Sequence, residues 1–233
     1  MSTTAPRFWN RSFFFIMAML AALVVVFGFR VTIDENLIHP DWPRPLVLWI
    51  HALVFTAWIV LFIAQTALVR KRQVKWHRRL GMWTIVVGVA IPVVGVATSL
   101  VMAHLRAQHG EADATGFLLV ANFDMLAFAL LFGLAATLRT NRELHRRLMF
   151  IATCTLTNAA FFRLLPPLVL GMNSGYLAAD LLILLGVARD LSVDRRVHPV
   201  YFVALPLYVV GQTVAVHFNS DPAWLSVANA LIR

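Results

Sequence analysis

Read for its polar and apolar positions, the chain is a series of long apolar runs separated by short charged turns. The runs cover residues 12–29, 46–69, 82–104, 117–138, 148–165, 176–188 and 200–217. None alternates with the period of two that marks a membrane β-strand, so each predicts a helix. Lipid supplies no hydrogen-bond partners, and a helix satisfies its own backbone. The run 176–188 is shorter than the roughly 20 residues needed to cross, and is expected to begin earlier or to tilt. Pro166-Pro167 is expected to end the fifth helix, because a proline disfavours helical geometry in the residue before it. Asp221-Pro222 reads as an N-cap followed by a first-turn proline. The short helix it opens, 222–232, is expected to lie along the membrane interface. The first run follows Arg7 and Arg11 as a signal peptide would, but it lacks a small-residue cleavage site, so it reads as a retained helix. The predicted fold is all-α, a single transmembrane domain over 1–233 built as a polytopic bundle of about seven helices.

Composition agrees. Of the 233 residues 60% are hydrophobic and 13% charged, against about 25% charged in soluble domains. That leaves too few charges to coat a water-facing surface. The single cysteine, Cys154, excludes a disulfide framework within one chain.

Charge sets the orientation. The net charge is +9, and fifteen of the twenty Lys and Arg residues fall at one end of the helices. They are Arg7 and Arg11, then Arg70 to Arg79, then Arg139 to Arg147, then Arg189, Arg195 and Arg196. Positive loops stay in the cytoplasm, which puts the N-terminus inside, the C-terminus outside and the chain in a bacterial-type inner membrane. The expected partners of the basic turns are anionic lipid headgroups in the bilayer; nucleic acid is not expected.

Polar groups within apolar runs are costly and therefore informative. His51, Asp124, Arg163 and Asp180 lie on four different helices. At about 1.5 Å of rise per residue their depths from the outer ends agree within a turn or two. Two readings are open. Asp124 and Arg163 form a buried ion pair that fixes packing, or the four residues line an outward-facing pocket for a small polar or anionic ligand. Climbs of similar length from the 139–147 turn predict that Asp124 and Arg163 meet.

Other patterns bear on a cofactor. His51, Trp58 and Gln65 recur every seven residues and share a face, and Gly81, Gly88 and Gly95 do so on the next helix. A glycine stripe lets helices pack closely or makes room for a flat group such as haem b, for which His51 and His104 are the candidate axial ligands. His77, His145 and His198 each open a helix beside arginines or a proline, which favours interfacial anchoring over a metal site. No phosphate-binding, dinucleotide-binding or hydrolase motif occurs, so no catalytic residue is assigned. Three functions compete: small-ligand binding or transport, a haem- or quinone-linked redox or respiratory accessory role, and an assembly protein without ligand.

Residues 68–81 and 138–149 repeat one pattern, an apolar helix, a basic turn, His-Arg-Arg-Leu and another helix. Two helix pairs related in the same orientation are expected from it. His51, the segment Lys75-Trp-His77-Arg-Arg-Leu-Gly81, the segment Leu144-His145-Arg-Arg-Leu-Met149, Arg163, and Asp180 with Asp190 and His198-Pro199 resemble an uncharacterised family of bacterial multi-pass inner-membrane proteins. The likeness spans roughly residues 47–224. It implies a topology and no activity. The His-Arg-Arg pieces are also similar to small membrane proteins associated with respiratory oxidases, over one helix pair only.

Overall fold

In the computed structural model, which describes residues 4–111, 114–165 and 174–233, each apolar run becomes helix. The helices are α1 (Thr4–Arg30), α2 (Leu46–Arg70), α3 (Val74–Gln108), α4 (Leu118–Thr137), α5 (Arg142–Thr155), α6 (Asn158–Leu164), α7 (Ser174–Val193), α8 (Pro199–Phe218) and α9 (Pro222–Leu231). A single π turn, Asp34–Ile38, follows α1. No strand occurs among the described residues. Five helices, α1, α2, α3, α4 and α8, are long and apolar enough to cross a membrane. The chain is an all-helical membrane protein.

Boundaries depart from the apolar runs where charge intrudes. Helix α3 begins eight residues before its apolar run, so the α2–α3 turn is only residues 71–73. Arg72 adopts the left-handed conformation there (φ 60°). Helix α7 runs through Arg189 and Asp190 and reaches 20 residues. The proline pair 166–167 lies outside the described residues. Asp221 caps α9 as its side chain accepts from the backbone N–H of Ala223 (2.9 Å) and Trp224 (3.3 Å).

The fifth run is not one helix. α5 stops at Thr155 and α6 starts at Asn158. Thr155 donates to the Ala152 carbonyl (2.9 Å) and Thr157 to the Cys154 carbonyl (2.6 Å). Hydroxyls that bond back to the preceding turn bend helices, and here two do so within three residues. Eight of the fourteen residues of α5 are buried, and its contacts are with α1, α4, α7 and α8. The broken α5–α6 segment therefore runs through the middle of the bundle. Outside it, α2 joins α1 to α3, and α3 packs on α4. Leu156 and Thr157 keep right-handed helical dihedrals (φ −73° and −78°), and the Thr157 N–H bonds the Cys154 carbonyl (3.0 Å), so the break is a tightened turn of helix rather than an unwound loop.

Glycines set two close approaches. A Cβ on Gly28 would lie 2.5 Å from the Ala160 carbonyl oxygen, so α1 touches α6 through its backbone. On α3, the Phe132 ring fills the space beside Gly88, and the Met125 side chain that beside Gly95. The stripe receives side chains from α4. Trp58, fully buried on the shared face of α2, meets the rings of Phe128 and Phe132 edge-on at 5.0 and 5.5 Å.

Candidate functional site

At the break, Asn158 occupies the first position of α6 and is fully buried. Its amide nitrogen donates to Asp124 on α4 (2.9 Å) and to the Tyr208 hydroxyl on α8 (2.5 Å). The Tyr176 hydroxyl on α7 donates to the same Asp124 oxygen (3.1 Å). Four helices thus meet through one hydrogen-bonded centre. One turn on from Tyr176, Asp180 accepts from Gln212 of α8 (2.6 Å), and Gln212 in turn lies one turn on from Tyr208. Tyr176 and Tyr208 are within electrostatic reach of both acids, and Cys154 is within reach of Asp180. Asp124, Asn158, Tyr176, Asp180, Tyr208 and Gln212 are all buried.

The expected Asp124–Arg163 ion pair does not form. Arg163 donates to the Thr32 hydroxyl (3.0 Å) and the Ala159 carbonyl (2.6 Å), and stacks over Phe29 at 4.4 Å. Equal climbs require 148–165 to be one helix; the chain turns between Thr155 and Asn158, and Asp124 meets Asn158, five residues before Arg163. Of the four polar residues expected to share a layer, Asp124 and Asp180 join the buried cluster. Arg163 turns to the end of α1, within electrostatic reach of His51. His51 is half-buried and stacks on Phe55 at 4.0 Å, with Nδ1 buried and unpartnered. At the end opposite the basic turns, His104 engages both ring nitrogens, Nδ1 with the Ile232 carbonyl and Nε2 with Gln108 (2.9 Å). An iron ligand needs a free nitrogen, and the glycine stripe is filled, so the residues present do not fit a haem held by His51 and His104.

Sequence reasoning missed a second buried cluster, at the basic end. Arg147 grips Asp190 through two parallel bonds (2.8 and 2.7 Å) and also reaches Glu143 (2.6 Å) and Asp194 (3.0 Å). Arg189 binds Asp190 (2.9 Å) and Asp194 (2.6 Å). The His198 backbone N–H, just before α8, donates to Asp190 (3.1 Å). Asp190 lies beyond the apolar stretch of α7. Burial alone would raise its pKa, but hydrogen bonds from Arg147 and Arg189 hold it below the ordinary carboxylate range. The sequence held a signal: Glu143, Asp190 and Asp194 are the only acids at that end, and the cluster takes all three.

The three helix-opening histidines are half-buried, and each makes a polar contact. His145 bonds the Ala135 carbonyl of α4 (2.8 Å), and Gln65 of α2 bridges Thr84 (2.8 Å) and His77. His198 caps α8, its Nδ1 accepting from Val200 N–H (3.2 Å). Two surface grooves of about 420 and 520 Å³ also lie at the basic end, the first lined by Trp76, Arg79 and Trp83, the second by Arg11, Ser12, Arg70 and Lys71. Comparison with protein-family models, curated proteins and solved structures found no match.

Proposed function

We propose that the chain is a multi-pass inner-membrane protein that binds a small polar solute between its helices, in the manner of a carrier. One observation carries this reading. The central segment α5–α6 is interrupted between Thr155 and Asn158, and the interruption is lined by Asp124, Asn158, Tyr176 and Tyr208 from four helices. Transporters place their solute sites at discontinuous helices, where freed backbone and side-chain polar groups converge. Ionisable groups set inside a membrane bundle mark a functional site by default. In this reading α5–α6 and α7 complete seven crossings, the basic turns face the cytoplasm, and Arg163 and His51 stand on the outer approach. The basic end, with its grooves of arginine and tryptophan, rests on anionic headgroups.

Solute binding requires water to reach the cluster, and the native Cys154 reports it. The thiol is buried, within electrostatic reach of Asp180. In native membranes a small polar methanethiosulfonate reagent is expected to modify Cys154 slowly, at a rate far below that of the denatured chain. No modification over hours, with full modification after denaturation, would show a sealed packing cluster and reject the carrier reading in favour of a structural one.

A further inference from the structure

The chain treats its buried acids in two ways. At the basic end Asp190 is met by two guanidiniums. At the helix break, among the described residues, no cation lies within ion-pair distance of Asp124 or Asp180. Each acid is instead met by a carboxamide. Asn158 donates to one oxygen of Asp124 at 2.9 Å, and Gln212 donates to one oxygen of Asp180 at 2.6 Å.

The remaining atoms show what is missing. The Asp180 Oδ1, Gln212 Oε1 and Asn158 Oδ1 atoms are buried without a partner. Buried polar atoms are rarely left so, and all three are oxygens, which can only accept. An ionised carboxylate is acceptor-only, but a protonated one carries an O–H donor. A carboxylic acid and a carboxamide side by side make two parallel bonds, amide N–H to acid oxygen and acid O–H to amide oxygen. The first bond is present in both pairs; Asp180 Oδ1 and Gln212 Oε1 are the two oxygens the second would join in one pair, and Asn158 Oδ1 is the amide oxygen it would join in the other.

We propose that Asp124 and Asp180 are proton-binding sites, each holding its proton in an acid–amide pair, with Asn158 and Gln212 as the fixed partners. The titratable groups facing them are Tyr176 from α7, Tyr208 from α8 and Cys154 from α5. All three are weak acids that are neutral near neutral pH and add no charge. Residues 12–29 of α1 and 80–103 of α3 contain no titratable side chain. Loss of either proton to water would leave a bare anion away from any cation, so the two sites exchange protons only as the helix break opens or rearranges. The assignment goes beyond the carrier reading and does not depend on which solute enters.

Infrared difference spectra of the purified full-length protein in lipid, recorded in H2O and D2O at neutral pH, test this. Two carbonyl bands of protonated carboxyl groups, both shifted by deuterium, are expected. Asp124→Asn and Asp180→Asn should each remove one band and leave the melting temperature at or above that of the native chain, since an amide replaces a neutral acid in shape and charge. Should either variant fail to fold, Asp124→Glu or Asp180→Glu is expected to move its band without abolishing it. Either band missing from the native protein overturns the assignment for that carboxyl. Stabilisation by sodium over choline that Asp180→Asn abolishes overturns it too, because it reveals an ionised carboxylate holding a metal cation. Failure of Cys154 modification with both bands present rejects the carrier while leaving the proton sites in place.

Discussion

Asp190 and Asp124 carry the same side chain into the same bundle and meet opposite surroundings, so their removal has different consequences. Asp190→Ala takes from Arg147 and Arg189, which are almost wholly buried, the more deeply buried of the two carboxylates they share, and leaves them Asp194. Breaking a buried pair outright costs about 3–5 kcal/mol; with Asp194 in place, a loss at or below the lower end of that range is expected in denaturant unfolding of detergent-solubilised protein. The native cluster is also acid-sensitive. Because the folded state holds the Asp190 pKa below its ordinary value, its contribution is present above the unfolded pKa and is lost as pH falls through the folded one. A stability–pH curve should therefore decline below the ordinary carboxylate range, and Asp190→Asn should flatten that part of it. Asp124 and Arg163 share no partner. Asp124→Asn and Arg163→Gln should add within about 0.3–0.5 kcal/mol in a double-mutant cycle; strong coupling would restore the ion pair that the structure lacks. Counting residues along 148–165 assumes one unbroken helix, and neither the turn at 156–157 nor the choice of neighbouring helices is written in the apolar pattern, so Asp124 was assigned to Arg163 when its partners are Asn158 and Tyr176.

At the level of elements, the apolar runs marked α2, α4 and α8 to within a residue at each end. Apolarity is what lipid demands, so the run and the helix coincide. They part where a helix continues into charged sequence, as in α3, or where an apolar run hides a break. Residues 148–165 give no hint of a stop at Leu156 by hydrophobicity. The three threonines at 153, 155 and 157 are the only trace, since their hydroxyls compete for the backbone of the turn before. Close packing at α1 and α6 supplies a sharper test. Gly28→Leu forces side-chain atoms into the Ala160 backbone and should cost about 1–3 kcal/mol by overpacking. Gly133→Ala, which meets open space on α4, should raise stability by up to about 1 kcal/mol through helix propensity. Comparing the two melting temperatures separates contact from propensity; equal shifts would deny the close approach.

For the whole molecule, the asymmetry of charge remains the guide to orientation. In a Cys154→Ala background, Lys71→Cys in the basic turn should resist an impermeant thiol reagent in intact cells, and Ser226→Cys on the exposed side of α9 should react. The opposite pattern reverses the orientation. Gln65 with His77, and His145 with Ala135, each tie a basic turn to the helix before it. The two repeated segments thus use their histidines alike. The arginines that follow differ: Arg79 stacks on Trp76 at the surface, whereas Arg147 is drawn into the interior by Asp190.

The position of α5–α6 at the centre of the bundle bears on how the chain is made. Helices leave the ribosome in order, and this one emerges before α7 and α8, which enclose it. On its own it is not among the helices long and apolar enough to cross, and it carries Arg147 with only Glu143 as a partner until Asp190 and Asp194 are made. Those two partners come some forty residues later. A chain halted after residue 165 should therefore leave α5–α6 unseated and open to protease, whereas one halted after α8 should protect it.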